Sequence, residues 1–318
     1  MKKIVWLLMM VMMPMVMMPM VANAAFSRNV DLEDEDELFC RLDQYIARRD
    51  EFSSKKEKKL IRMKKKLNIT SDKRERLNLY NQIYREYYTY RYDSAMVYAN
   101  RGLQLAEQLH DAYYIDLNKI NRAAVLSTGG FYSQAEDLLL SLNPEDISPK
   151  LKQYYYYTLT WVYNYWESFC ERSEFKEGML DKKRLYLAKT LEYVGNKQSA
   201  LYYYLSGELE YLLHRTDKKV LDWYQKALAA SPVDSRVHAS SAYCIARYYH
   251  DNEQMDLYEK YLVEAAISDQ VCPLKENLAL QELSTYLYNK DAKYAKRVSK
   301  YIYCSMEDAQ FYNNRLRM

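Results

Sequence analysis

Apolar residues in this chain recur at helical spacing, and the helices come in pairs. In AYYIDLNKINRAAVLS, Ala112 to Ser127, they fall three and four residues apart; the turn TGGFYS follows, and QAEDLLLSL starts a second, shorter helix. VHASSAYCIARYYH with QMDLYEKYLVEAAIS, and ENLALQELSTYLYNK with AKYAKRVSKYIYCS, repeat the arrangement. Pairs spaced about 34 to 40 residues apart predict an α-solenoid, in which stacking supplies the core that no single pair can bury alone. Turn formers are scarce enough to exclude a sheet protein. The chain has six glycines and six prolines, and beyond Pro14 and Pro19 only Pro144, Pro149, Pro232 and Pro273 remain.

The clearest copy lies between Ala200 and Asp234. There the tetratricopeptide pattern of large, aromatic, aromatic, Ala and Pro is met by Tyr204, Tyr211, Tyr224, Ala227 and Pro232, with the first-helix glycine one place early at Gly207. The repeats run from about Ser71 to Ser305, and the ESFCERSEFKEGMLDKKRLYLAKTLEY segment interrupts their spacing. Ahead of them, Leu38, Leu42, Tyr45, Phe52, Leu60, Met63 and Leu67 mark one long amphipathic helix. The expected fold is all-α, a right-handed α-solenoid of tetratricopeptide-like helix pairs. Residues 1–24 read as a signal peptide, 25–36 as an acidic linker, 37–69 as the long amphipathic helix and 70–318 as the repeat domain.

The signal reading rests on Lys2 and Lys3, the apolar run Ile4 to Val21 and the small-x-small site Ala22-Asn23-Ala24, which would leave Ala25 first in a periplasmic protein. An uncleaved anchor helix is the alternative, because the run approaches spanning length. Loss of Lys2 and Lys3 takes the formal charge from +3 to +1, which argues against nucleic acid as a partner. The basic run KKEKKLIRMKKK, Lys55 to Lys66, reads as a solvated helix face, with an acidic partner or membrane surface as the alternative. Five widely spaced cysteines, Cys40, Cys170, Cys244, Cys272 and Cys304, are too sparse for a disulfide framework and read as small buried side chains, with one or two bridges allowed.

The segments RLDQYIARRDEFSSKKEKKLIRMKKKL, YREYYTYRYDSAMVYANRGLQLAEQL, YLVEAAISD and the terminal MEDAQFYNNRLR resemble the extracytoplasmic half of a Bacteroidota membrane-bound transcriptional regulator family carried under a domain of unknown function. The resemblance implies a signal peptide and a tetratricopeptide-like sensor, followed by a transmembrane helix, a coiled coil and a cytoplasmic DNA-binding domain. This chain stops at Met318, before those later parts, and so reads either as a truncated form or as a free periplasmic input domain. Membrane contact is expected only where such a transmembrane segment exists.

Catalytic signatures are missing from the sequence: it has no GxxxxGK[ST], HExxH, GxSxG or CxxC. Gly129-Gly130 reads as a turn, the four histidines stand apart from one another, and Glu208 and Glu210 read as surface charge. No metal or cofactor is expected. In KQYYYYTLTWVYNYW, Lys152 to Trp166, helical spacing sets Tyr154, Tyr157, Trp161 and Tyr165 on one stripe and Tyr155, Leu159, Val162 and Trp166 on the next, both assigned to the core. Tyr156 and Tyr163 fall outside the stripes and are expected to face a groove. With Arg236, Tyr243 and Arg247 they are the candidate binding residues for a protein or peptide partner, or a small ligand. The leading function is an exported sensor module; an envelope scaffold and, behind it, an exported enzyme are the alternatives. The sequence leaves the oligomeric state open.

Overall fold

The computed structural model describes residues 35–170, 173–275 and 279–313, so the expected signal peptide and nearly all of the acidic linker lie outside the described residues. Fourteen α-helices and one 3-10 turn, with no strand, make up the secondary structure among them. The helices are α1 (Glu35–Ala47), α2 (Arg49–Ile69), α3 (Lys73–Tyr88), α4 (Tyr92–Gln108), α5 (Ala112–Thr128), α6 (Tyr132–Leu140) and α7 (Pro149–Ser168). They continue as α8 (Ser173–Tyr193), α9 (Ala200–Leu213), α10 (Lys218–Ala229), α11 (Arg236–Asp251), α12 (Met255–Val271), α13 (Ala279–Lys290) and α14 (Ala295–Tyr312). None of the described helices is long and apolar enough to cross a membrane.

The chain divides into residues 1–44 and 45–318. In the larger unit consecutive helices pack in pairs, α3 with α4, α5 with α6, α7 with α8, α9 with α10, α11 with α12 and α13 with α14, which is a tetratricopeptide-like α-solenoid. Side-chain caps start several of them. Asp72 accepts from the Arg74 N–H at 2.9 Å, Asp217 from Lys219 at 2.9 Å and Ser235 from His238 at 3.2 Å. Gly130, at φ 84°, makes the turn between α5 and α6.

Two expectations are corrected. The single helix over 37–69 is broken at Arg48, whose N–H turns back to the Tyr45 carbonyl at 3.1 Å, a tighter bond than the α-helical one. Asp50 and Glu51 favour a fresh N-terminus there, where their charge meets the positive end of the α2 dipole. The segment that seemed to interrupt the repeats is α8, a 21-residue helix packed along the 20-residue α7. It belongs to an ordinary pair with longer members.

The core follows the stacking. Leu60 and Leu67 of α2 meet Leu79, Ile83, Tyr84 and Tyr87 of α3 and Ala95 and Ala99 of α4. A second cluster joins Leu117 and Ile120 of α5, Leu139 of α6, and Tyr155, Leu159, Val162 and Tyr163 of α7. Gly207 shows why the repeat pattern wants a glycine on the first helix: a Cβ there would lie 2.6 Å from the ring of Tyr224, so only its absence lets α10 close onto α9.

The last helix returns to the first repeats. Tyr312 donates from its hydroxyl to the Tyr88 carbonyl at 3.0 Å and lies 3.3 Å from Thr128 Oγ1, while Phe311 tilts against Tyr90 with centroids 5.0 Å apart. Asp308 takes Lys275 Nζ at 2.5 Å and Arg49 at 3.4 Å.

Candidate functional site

On α11, residues Arg236, Ser240, Tyr243 and Arg247 follow one another at helical spacing and are half-buried, so the helix presents a polar stripe in an otherwise buried surround. Opposite stands the half-buried stripe of α7 with Trp161, Asn164 and Tyr165, and Tyr204 and Glu208 of α9 lie between them. Asp269 of α12 and Leu274 close the far side, leaving a cavity of about 180 Å³. Its wall is aromatic: Trp161 and Tyr165 have centroids 5.8 Å apart, and Tyr157 sits 6.0 Å from Trp161.

Charge is concentrated on Glu208. Its Oε1 accepts from Arg247 Nη2 at 2.7 Å, from the Tyr224 hydroxyl at 2.6 Å and from the Cys244 thiol at 3.2 Å. Burial alone would raise this carboxyl, but Arg247 and Lys183, with the hydrogen bonds from Tyr224 and Cys244, hold it down at about 2. Burial pushes the Cys244 thiol up, and the Glu208 carboxylate pushes it further. The Arg247 guanidinium also covers the Tyr211 ring at 3.8 Å. Arg236, the first residue of α11, lies 6.0 Å from the Trp161 ring and 5.4 Å from Tyr88. Two buried donors of groove residues, Trp161 Nε1 and Arg247 Nε, have no hydrogen-bond partner among the described residues.

Three of the five expected binding residues, Arg236, Tyr243 and Arg247, thus meet at one groove. Tyr156 and Tyr163 do not. Both are buried: Tyr156 stacks between Tyr193 at 5.5 Å and Tyr186 at 6.3 Å, and Tyr163 stacks on Tyr186 at 5.5 Å and Trp166 at 6.3 Å while its hydroxyl donates to Glu136. The cause is α8. Its Tyr186 and Tyr193, with Lys182 and Lys189 over the rings of Tyr163 and Tyr156 at 4.9 and 5.2 Å, cover the face of α7 that looked unoccupied. Conversely, the stripe of Tyr154, Tyr157, Trp161 and Tyr165 that was assigned to the core is only half-buried, and Trp161 and Tyr165 belong to the groove wall. Glu208, read as surface charge, is 6% exposed and central. Its helical spacing from Tyr204 was visible, but its partners come from α10 and α11.

One further row has the order of a catalytic relay. Ser231 Oγ lies 3.3 Å from His238 Nδ1, and His238 Nε2 lies 3.8 Å from Glu264. Ser231, however, donates to the Ala227 carbonyl at 2.8 Å, and all three side chains are buried away from the groove, so the row fastens α10, α11 and α12 together. Among the described residues no group of three His, Cys, Asp or Glu side chains is placed to hold a metal ion.

The model of a family described as the SusR N-terminal TPR domain matches residues 46–318. No curated protein matches the chain. The match spans both faces of the groove and the returning α14.

Proposed function

The chain belongs to the SusR N-terminal TPR domain family, a helical-repeat interaction module, and from that premise we propose that it is the input domain of an extracytoplasmic signalling protein whose groove between α7, α9 and α11 receives the ligand. The observation that carries this reading is the half-buried stripe of Arg236, Tyr243 and Arg247 lining one cavity together with the rings of Trp161 and Tyr165. The ligand so selected lays a flat apolar face on Trp161 and Tyr165 and turns acceptor oxygens or a peptide carbonyl to the arginines.

Export to the periplasm follows from residues 1–24 as a cleaved leader, and intact mass of the fractionated protein beginning at Ala25 is the expected result. For the groove, the test is a thermal-shift screen of the purified chain against peptides, glycans and small soluble metabolites, repeated with Trp161→Ala and Arg236→Gln. A ligand present at about a hundredfold over its Kd adds about 2.7 kcal/mol to the wild type. The variants should lose that gain, measured for each against its own melting point without ligand. A ligand that stabilises wild type and both variants equally binds elsewhere, and the reading then fails.

A further inference from the structure

The groove and the docking of the last helix are joined through contacting and neighbouring residues. Arg236 touches two rings, Trp161 in the groove wall and Tyr88 at the end of α3. The carbonyl of Tyr88 is what the Tyr312 hydroxyl on α14 bonds, at 3.0 Å. A second link runs beside it. Leu274 lines the groove, and its neighbour Lys275 donates its backbone N–H to the Thr89 carbonyl at 2.9 Å and its Nζ to Asp308 on α14 at 2.5 Å. Both partners of that ion pair are buried, with side chains 8% and 4% exposed.

We propose that α14 is the output of the groove: a ligand that draws Arg236 towards Trp161 takes it off Tyr88 and loosens the docking of α14 on α3 and α5. This rests on the reading of the groove as a ligand site. The physical case is one of competition. A guanidinium has two faces and five donors; one facing Trp161 and Tyr88 together cannot turn to a ligand oxygen without altering its contact with the second ring. The α14 attachment that depends on this point is small and local, comprising the Tyr312 hydroxyl, its ring against Tyr92, Phe311 on Tyr90, the Asp308 ion pairs and the Asn313 amide on Asp93 at 2.5 Å. Such an attachment opens separately from the packed pairs, and a ligand shifts it by as much as its affinity differs between the docked and released forms. The terminal DAQFYNN stretch, whose Asp308, Phe311, Tyr312 and Asn313 all make these contacts, thereby has a task distinct from stacking.

The test needs no ligand, because Arg236→Gln removes the guanidinium from Tyr88 as the ligand would. Amide hydrogen exchange is followed by mass spectrometry in the whole chain for wild type, R236Q, Y312F and the double variant. Exchange across 298–312 should rise about fivefold in each single variant, and the double should exchange no faster than Y312F alone, while peptides from α7 stay as protected as in wild type. Unchanged α14 exchange in R236Q, or an increase that multiplies with that of Y312F, overturns the coupling. Should R236Q loosen α7 as well, Arg236→Lys, which keeps the charge and removes the stacking plane, is read by the same criteria. Failure here leaves the groove free to bind a ligand, and failure of the ligand screen leaves the exchange result standing, so the two proposals fall separately.

Discussion

Glu208 sits where three helices need one charge. Arg247 on α11 and Tyr224 on α10 both bond its Oε1, and Lys183 approaches from α8 as a buried cation whose pKa burial lowers. Replacing it by Gln keeps the shape and strands two cations, a loss of about 3–5 kcal/mol for a broken buried pair. The pH dependence has a definite sign. A carboxyl held at about 2 rather than the usual 4.5 stabilises the fold above about pH 4.5 and loses that contribution as pH falls towards 2. Melts of wild type should therefore drop steeply over that window, and melts of E208Q should start lower and drop less. The tyrosines of α7 give a second residue-scale comparison. Tyr163, fully buried, should lose about 3–5 kcal/mol when cut to Ala, whereas Trp161→Ala should lose clearly less and show its effect on ligand binding instead. Equal melting losses for the two would place Trp161 in the core. Spacing along α7 put the stripe of Tyr155, Leu159 and Val162 in the core, where it lies, but exchanged the environments of the Trp161 stripe and of Tyr156 and Tyr163, because the covering helix α8 comes from a segment with no repeat signature.

At the scale of the element, α2 illustrates a charge run with two jobs. Lys58, Lys65 and Lys66 are exposed, and Lys66 pairs with Glu75 at 2.6 Å with its side chain 58% exposed. Lys64 instead turns onto α3, 5.0 Å over Tyr87, whose hydroxyl it also bonds at 2.5 Å, and Lys56 lies 5.1 Å over Tyr90 in the turn that follows α3. Reversing Lys58, Lys65 and Lys66 to Glu should cost about 1 kcal/mol or less in a urea melt and leave ligand binding intact, since exposed pairs contribute little. Lys64→Glu, which puts a carboxylate against a ring face and a phenol, should cost more than the three together. A steep, salt-dependent loss of partner binding in the triple variant would show that the exposed face docks an acidic surface. The sequence identified the run as amphipathic. It did not show which lysines point inward, because that depends on the register of α2 against α3, nor the break at Arg48, where the local charges outweigh an apolar period that continues through it.

For the whole molecule the decisive contacts are those of longest sequence separation. A stacked array with only neighbour contacts unfolds piecemeal, since each pair depends only on the next. Here Arg49 reaches Asp308 across 259 positions, and the Tyr312 hydroxyl reaches Thr128 across 184. Such bonds leave no period in a sequence. The pairing of helices was legible from the apolar spacing and the Tyr204, Gly207 and Tyr224 pattern, but the return of α14 was not; nor was a groove whose walls come from α7, α9 and α11. An end-to-end tie penalises any state in which one pair has opened, so it should make unfolding more cooperative. Wild type is expected to unfold in a single urea transition. Asp308→Asn leaves Lys275 and Arg49 without their shared carboxylate and should lower both the midpoint and the slope m, because the terminal pairs then open before the rest and two-state behaviour is lost. Tryptophan fluorescence and far-ultraviolet circular dichroism, coincident in wild type, should then separate. An m value unchanged in D308N, with coincident probes and only a lower midpoint, would mean that neighbour stacking alone sets the cooperativity and that the return of α14 adds stability without binding the array into one unit.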